Sequence, residues 1–452
     1  MYRQIAKLIL YGSMPKDEIL VQLGEIFRAY EEKSKDKATL VSEIYSQVKR
    51  ILQVSTDYAF DRNLWQNYLT FLLITNENPF TVTCEKMGVK DGSVITFVKN
   101  DLEVFRTLFH YDFSGIEKDL EIGCFSILQN YKAIGKPELM YNKNVSSKVN
   151  SLSVKLAGAE NVDVFFEILT DFYKQYGVGM FGLNKAFRIR QAQADTGAFG
   201  IGRSGAYRPA GSLIEFLPIN NMESVSLDDL VGYEIQKKKL VANTEAFVTG
   251  LPANNVLLFG DSGTGKSTSI KAIVNQYYDR GLRMIEIYKH QFKDLSAIIA
   301  AVKNRNYRFI IYMDDLSFEE NETEYKFLKA VIEGGVETRP ENVLIYATSN
   351  RRHLIRETWN DRQDVQMNEG IHKSDTMEEK LSLVHRFGLT IGYEKPMKKE
   401  FNHIVTVLAK RAGIDMDEET LLAEANKWEM MYGGISGRTA QQFVNHLLQI
   451  RS

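Results

Sequence analysis

Cysteine is nearly absent from this 452-residue sequence. Cys84 and Cys124 stand alone and far apart, which excludes a disulfide framework and a zinc site built on cysteine spacing. A reducing, cytoplasmic setting is expected. Long apolar runs are missing too: no stretch approaches the roughly 20 residues a membrane helix needs. The N-terminal segment MYRQIAKLILYGSMPKDE, interrupted by Lys7, has no small-residue cleavage site, so no membrane association is expected. Neither charge is in excess. A net charge of −2 gives no general pull toward a polyanion, so nucleic-acid binding would need a local basic patch and is not the favoured expectation. With 44% hydrophobic and 25% charged residues, the balance is that of a folded globular protein. The length predicts about two or three domains.

Residues 1 to about 190 read as mostly helical, with apolar positions at helical spacing such as Ile19, Leu20, Leu23, Ile26 and Phe27, and again Val162, Phe165, Phe166, Leu169 and Phe172. The dense aromatics from Phe60 to Phe113 read as core. Two glycine strings fit GxGxxG: Gly177, Gly179, Gly182 and Gly200, Gly202, Gly205. The first follows a helical segment, so Gly177 reads as a helix stop. The second, with Pro209, reads as a flexible connection, and neither has the strand-to-helix context of a dinucleotide site. From about residue 216 short apolar runs alternate with amphipathic segments, which predicts a parallel sheet covered by helices. The expected strands are 256–259, 284–288, 309–313, 343–347 and 389–393. Helical spacing returns after Pro396. The expected division is 1–215, a mostly helical N-terminal domain with a Gly-rich linker; 216–394, an α/β core; and 395–452, a helical lid.

The chemistry concentrates in the core. Gly260, Asp261, Ser262, Gly263, Thr264, Gly265, Lys266 and Ser267 spell GxxxxGK[ST] in full, after a strand and before a helix that Thr268 continues. Backbone N–H groups in such a loop cradle phosphates at a helix N-terminus. Lys266 is suited to the β- and γ-phosphates and Ser267 to Mg²⁺. The apolar run FIIYM then delivers Asp314 and Asp315, the first suited to hold Mg²⁺, the second to polarise water as a general base. Glu319 and Glu320 are rivals for the base. A third apolar run, VLIYATSN, ends in Asn350, at the sheet end that faces a ligand crevice. Arg386 and Arg438 are candidates to stabilise charge on a γ-phosphate, from the same chain or a neighbour.

In this order, the motifs resemble an AAA+ ATPase over about residues 216–452. The resemblance assigns Val231 and Gly232, in Leu230-Val231-Gly232-Tyr233, to the adenine. It makes Gly260–Ser267 Walker A, Asp314 and Asp315 Walker B, Asn350 sensor 1, Arg386 the arginine finger and Arg438 sensor 2. The wording DLVGYEIQKKKL…GDSGTGKS and DDLSFEE…YATSNRRHL is also similar to a bacterial family described as a domain of unknown function with an AAA+ core, expected to cover nearly the whole chain. The resemblance implies an α/β AAA+ P-loop core with a five-stranded parallel sheet, ATP and Mg²⁺ as ligands, a homo-oligomer such as a ring, and a macromolecular client. One departure stands out: Asp315 replaces the usual Glu and is one methylene shorter, which predicts slow hydrolysis.

Other readings stay open on the sequence alone. Asp315 favours an ATP-dependent switch with little turnover. HRFGL resembles a segment of Holliday-junction motors, and Arg351, Arg352, Arg356 and Arg362 form a basic cluster, so a DNA-directed ATPase is a second alternative. A P-loop kinase lacks an acceptor motif. For an unfoldase, Phe292 is the one weak pore-loop candidate.

Overall fold

The computed structural model describes residues 1–87, 92–135, 141–191, 200–201, 207–208, 213–220, 222–318, 322, 324–333, 340–351, 354 and 383–451. The chain divides into two compact units, Met1–Ala186 with Arg190–Asn221, and Phe187–Ile189 with Met222–Ser452.

In the first unit the apolar spacing produces the expected helices. Ile19–Glu31 buries Ile19, Leu20, Leu23, Ile26 and Phe27, and Val162–Tyr176 buries Phe165, Leu169 and Phe172. Asp36, Asn63, Asn142 and Asn161 each accept a backbone N–H at a helix start, which satisfies donors that the helix itself leaves open. The aromatics pack as core: Phe113 stacks on Phe125 at 4.1 Å and meets Trp65 edge-on at 5.3 Å. Gly177 caps Val162–Tyr176 at φ +83°, the helix stop expected of the first glycine string; Gly202 and Gly205 of the second lie outside the described residues.

The stretch before residue 216, expected to be mostly helical with a Gly-rich linker, also carries strands. Four strands occur there or begin there: β1 (Ala186–Gln191), β2 (Gly200–Ile201), β3 (Tyr207–Arg208) and β4 (Ile214–Pro218). In the first unit β2, β3 and β4 pair antiparallel. β1 alternates buried Phe187 and Ile189 with exposed Arg188 and Arg190, the period of a half-buried strand, over too short a run to stand out from the helical region it follows. Arg190 is held by Glu215 at 2.6 Å.

The second unit contains an α/β core with a P-loop after its strand Val256–Gly260. Its parallel strands are β5 (Val256–Gly260), β6 (Leu282–Glu286), β7 (Arg308–Met313), β8 (Val343–Ser349) and β9 (Leu389–Tyr393), in the order β6-β7-β8-β5-β9. Residues 187–189 of β1 lie at the β6 edge, so the sheet of this unit exceeds the five strands expected. β6 starts two residues earlier than anticipated because Gly281, at φ +90°, turns the chain directly into it. β5 sits between β8 and β9 while its chain continues to β6, and this reversal opens a crevice at the strands' C-terminal ends. Helix Glu234–Val248 packs Leu240, Thr244 and Phe247 into the core. Three helices after β9, Lys398–Arg411, Glu418–Tyr432 and Gly437–Arg451, share a separate apolar core around Phe401, Val405, Ala425 and Phe443. Among the described residues no helix is long and apolar enough to cross a membrane.

Candidate functional site

Three strand ends and one loop build the site. β5 runs into the loop Gly260–Gly265, which opens helix Lys266–Tyr277. Gly260 holds φ +132°, and a Cβ there would lie 2.0 Å from the Tyr393 carbonyl oxygen. The Asp261 N–H donates to that same oxygen at 3.1 Å, so the loop is pinned to the end of β9. Gly265 is the N-cap at φ +91°, and no side chain caps the helix. Its free N–H groups and the positive end of the helix dipole therefore face the loop. Thr264 donates to the Asp261 carbonyl at 2.8 Å, Ser262 is exposed in the loop, and Thr268 lies in the first helical turn.

Lys266 is buried. Its ammonium donates to the carbonyls of Gly260 at 2.9 Å and Asp261 at 2.6 Å, and to Asn350 Oδ1 at 3.0 Å. Burial pushes its pKa down, and the nearby carboxylates of Asp315, Asp261 and Asp314 offset part of that. The Asn350 Nδ2 donates to Asp315 Oδ1 at 2.7 Å, so one amide links the lysine to the second acid. Asp315 sits in the left-handed region at φ +50°, which aspartate tolerates better than most residues. Its N–H donates to Thr348 Oγ1 at 2.9 Å.

Asp314 collects donors. Ser267 Oγ reaches its Oδ1 at 2.7 Å and Thr348 Oγ1 reaches the same oxygen at 2.5 Å. Burial works against the carboxylate, but the hydrogen bonds from Thr348 and Ser267, with the Tyr312 hydroxyl close by, outweigh that and hold its pKa below the usual value. Thr348 is a site residue that the sequence reading passed over. The available signal was its place, near the C-terminal end of β8 and two positions before Asn350.

The helical segment after β9 also reaches the loop. The Arg438 N–H donates to the Gly263 carbonyl at 3.2 Å, and a Cβ on Gly263 would meet Ser436 Oγ at 3.0 Å and Arg438 Cβ at 3.1 Å. Leu230, next to Val231, lies against the loop, 2.3 Å from where a Gly265 Cβ would be. Val231 packs on the apolar core of the three C-terminal helices, and Gly232 turns the chain at φ +86°. Tyr233 stacks on Tyr393 at 5.1 Å and donates to the Glu394 carbonyl at 3.0 Å.

Asp314, Asp315, Asn350 and Arg438 are thus gathered around Lys266 and Ser267. Arg386 is not. It precedes β9, whose start pairs with the start of β5, so about 13 Å of strand separates it from the loop end, at ~3.3 Å per residue. Glu319, Glu320, Arg352, Arg356 and Arg362 lie outside the described residues. Phe292 is 1% exposed and packs on Phe318, which removes it as an exposed pore-loop aromatic.

A family model described as "Protein of unknown function (DUF815)" matches residues 204–450, more than half of the chain though less than the near-complete coverage expected. No curated protein matches. Among solved structures, the Thermotoga maritima RuvB Holliday junction branch migration motor is similar at 18% identity and TM-score 0.33, over 50% of this chain and 64% of that one. Two mutants of RuvB match at 18% and 16% identity with TM-scores of 0.35 and 0.34, each over 50% of this chain and over 65% and 67% of theirs. This chain therefore spans less than two thirds of the motor's own length, and superpositions this loose carry no functional weight.

Proposed function

The chain belongs to the DUF815 family, whose function is unknown, and from that premise we propose that it is an AAA+ ATPase that binds ATP with Mg²⁺ and hydrolyses it slowly. The observation that carries this reading is the joined set Lys266–Asn350–Asp315 and Ser267–Asp314 at the ends of β5, β7 and β8. Such a set has a lysine and uncapped helix N–H groups for phosphate, a hydroxyl and a carboxylate for a metal, and a second carboxylate for water.

The residues present fit both ligands. The loop glycines hold positive φ where a side chain would collide, the cradle that a polyphosphate needs. Ser267 and Asp314 are few and oxygen-bearing, which suits Mg²⁺ shared with phosphates. Among the described residues no group of three or more His, Cys, Asp or Glu side chains could hold a metal. Bound Mg²⁺ supplies charge neutralisation on the phosphate oxygens.

In this reading Gly260–Thr268 hold the phosphates, Val231 and Gly232 border the adenine, and Lys266 contacts the β- and γ-phosphates. Asp315 accepts the proton of the attacking water while Asn350 orients that water. Water adds to the γ-phosphorus, the bond to ADP breaks, and Arg438 steadies the charge that develops. The division into 1–215, 216–394 and 395–452 gives the N-terminal part to client recognition. The protein would work in the cytoplasm as a homo-oligomer on a protein client.

Asp315 also supports a second reading, a nucleotide switch with little turnover, since its short carboxylate already engages Asn350 at 2.7 Å. Asp315→Asn separates the two. The ATPase reading expects turnover to fall by a factor of 10² or more, the scale of a lost general base, with affinity for a fluorescent ATP analogue kept, while Lys266→Ala loses both. Wild-type protein that binds ATP without turnover in any oligomeric state establishes the switch instead.

A further inference from the structure

Three tyrosines on the strands of the second unit lie deeply buried: Tyr312 on β7, Tyr346 on β8 and Tyr393 on β9. Two have placed their hydroxyls. Tyr393 donates to Ser269 Oγ at 3.0 Å, and Tyr346 is bonded to Thr244 at 2.8 Å and Asn243 at 3.2 Å. The Tyr312 hydroxyl, on a side chain 1% exposed, has no hydrogen-bond partner. A buried unpaired hydroxyl is costly enough that one in a native fold calls for an explanation.

Its surroundings suggest one. Tyr312, the next-to-last residue of β7, precedes Asp314, the first residue beyond the strand, by two positions. The hydroxyl lies near Ser267, Asp314 and Thr348, close enough to favour the ionised carboxylate, yet it makes no hydrogen bond of good geometry to any of them. The hydrogen bonds that Asp314 accepts from Ser267 and Thr348 both end on Oδ1. Of the unpartnered buried side-chain atoms among the described residues, the others lie on Ser55, Asn342, Asn402, Asn426 and Trp428, none of them a residue of this site.

We propose that Tyr312 is a positioning residue of the magnesium site, a reserve donor that takes over Asp314 when the Ser267 oxygen turns to the metal. This rests on the ATP·Mg²⁺ reading of the same residues. Thr348 alone would leave the carboxylate free to swing about one bond; a second donor would fix its plane and leave its other oxygen available to hold the metal. The hydroxyl then gains its partner only in the loaded site, so its unpaired state otherwise favours loading.

The test is a magnesium titration of the full chain with a fluorescent ATP analogue, comparing wild type, Tyr312→Phe and Tyr346→Phe, with an EDTA baseline. Tyr312→Phe is expected to raise the Mg²⁺ concentration for half-maximal binding about tenfold, the scale of one hydrogen bond to a charged group. Affinity in EDTA should stay unchanged, and the nucleotide-free melting temperature should stay level or rise. Tyr346→Phe, which loses an equally buried hydroxyl away from Asp314, should leave the midpoint in place. An unmoved Tyr312→Phe midpoint, an equal shift in Tyr346→Phe, or a lowered nucleotide-free melting temperature for Tyr312→Phe would overturn the assignment alone. A wild type that binds the analogue with no dependence on Mg²⁺ would overturn the functional reading and this one with it.

Discussion

Gly260 shows how one atom can decide the site. Its φ of +132° and the 2.0 Å gap between a would-be Cβ and the Tyr393 carbonyl leave an alanine no room, and backbone is the obstacle. Gly281 offers the comparison: it has φ +90° but nothing within 4 Å of a Cβ. Gly281→Ala should therefore cost only the left-handed strain of about 1–2 kcal/mol, a melting shift of a few degrees. Gly260→Ala adds a collision between two strands, so it should lower the melting temperature clearly further and abolish binding of the ATP analogue. Equal melting temperatures for the two variants would mean that the contact between β5 and β9 yields at no cost. At the same scale, the sequence exposed the residues whose chemistry is in their type and spacing, such as Lys266 and the Asp314–Asp315 pair. It concealed Thr348 and Tyr312, because a hydroxyl inside an apolar strand reads as ordinary core until its neighbours across the sheet are known.

Among the elements, legibility followed how local the cause was. The core strands announced themselves through apolar runs that end in turn or polar residues, and β9 was found to the residue. β6 was displaced because its start is set by the turn at Gly281 rather than by its apolar centre, and β1, whose Phe187 and Ile189 alternate with Arg188 and Arg190, is too short a run to stand out from the helical region it follows. What no pattern announces is how the last strand is tied to the loop. The Asp261 carboxylate accepts from the Lys395 N–H at 3.2 Å, just before the first C-terminal helix, while the Asp261 N–H holds the Tyr393 carbonyl. The loop thereby grips the connection through which any movement of those helices must pass. Asp261→Ala removes the carboxylate grip and leaves the backbone bond. Hydrogen exchange at the Lys395 amide should then speed up at least tenfold, in line with a lost bond to a charged acceptor, with the fold intact. An unchanged exchange rate would show that β9 and the following turn need no help from the loop.

At the scale of the whole molecule, Arg386 and Arg438 part company. Arg438 touches the loop through its own backbone, so in the proposed ATPase it would serve the nucleotide of its own chain. Arg386 stands before β9, at the end of the sheet away from the loop, and a side chain cannot cross that distance. If it stabilises a γ-phosphate, it must do so in a neighbouring copy, and a functional site then takes residues from two chains. Arg386→Ala alone should lower turnover by about 10³-fold or more, the scale of a lost arginine finger, while ATP-analogue affinity holds. Lys266→Ala should be inactive for the opposite reason: its own loop is dead but its Arg386 is intact. Mixing the two inactive variants creates junctions in which an Arg386→Ala loop faces a Lys266→Ala neighbour, and those sites contain every group. Turnover recovered in the mixture, with neither variant active alone, is the expected result. A mixture as inactive as its parts, in a sample that mass measurement shows to be co-assembled, would remove Arg386 from catalysis and leave it a structural residue before β9.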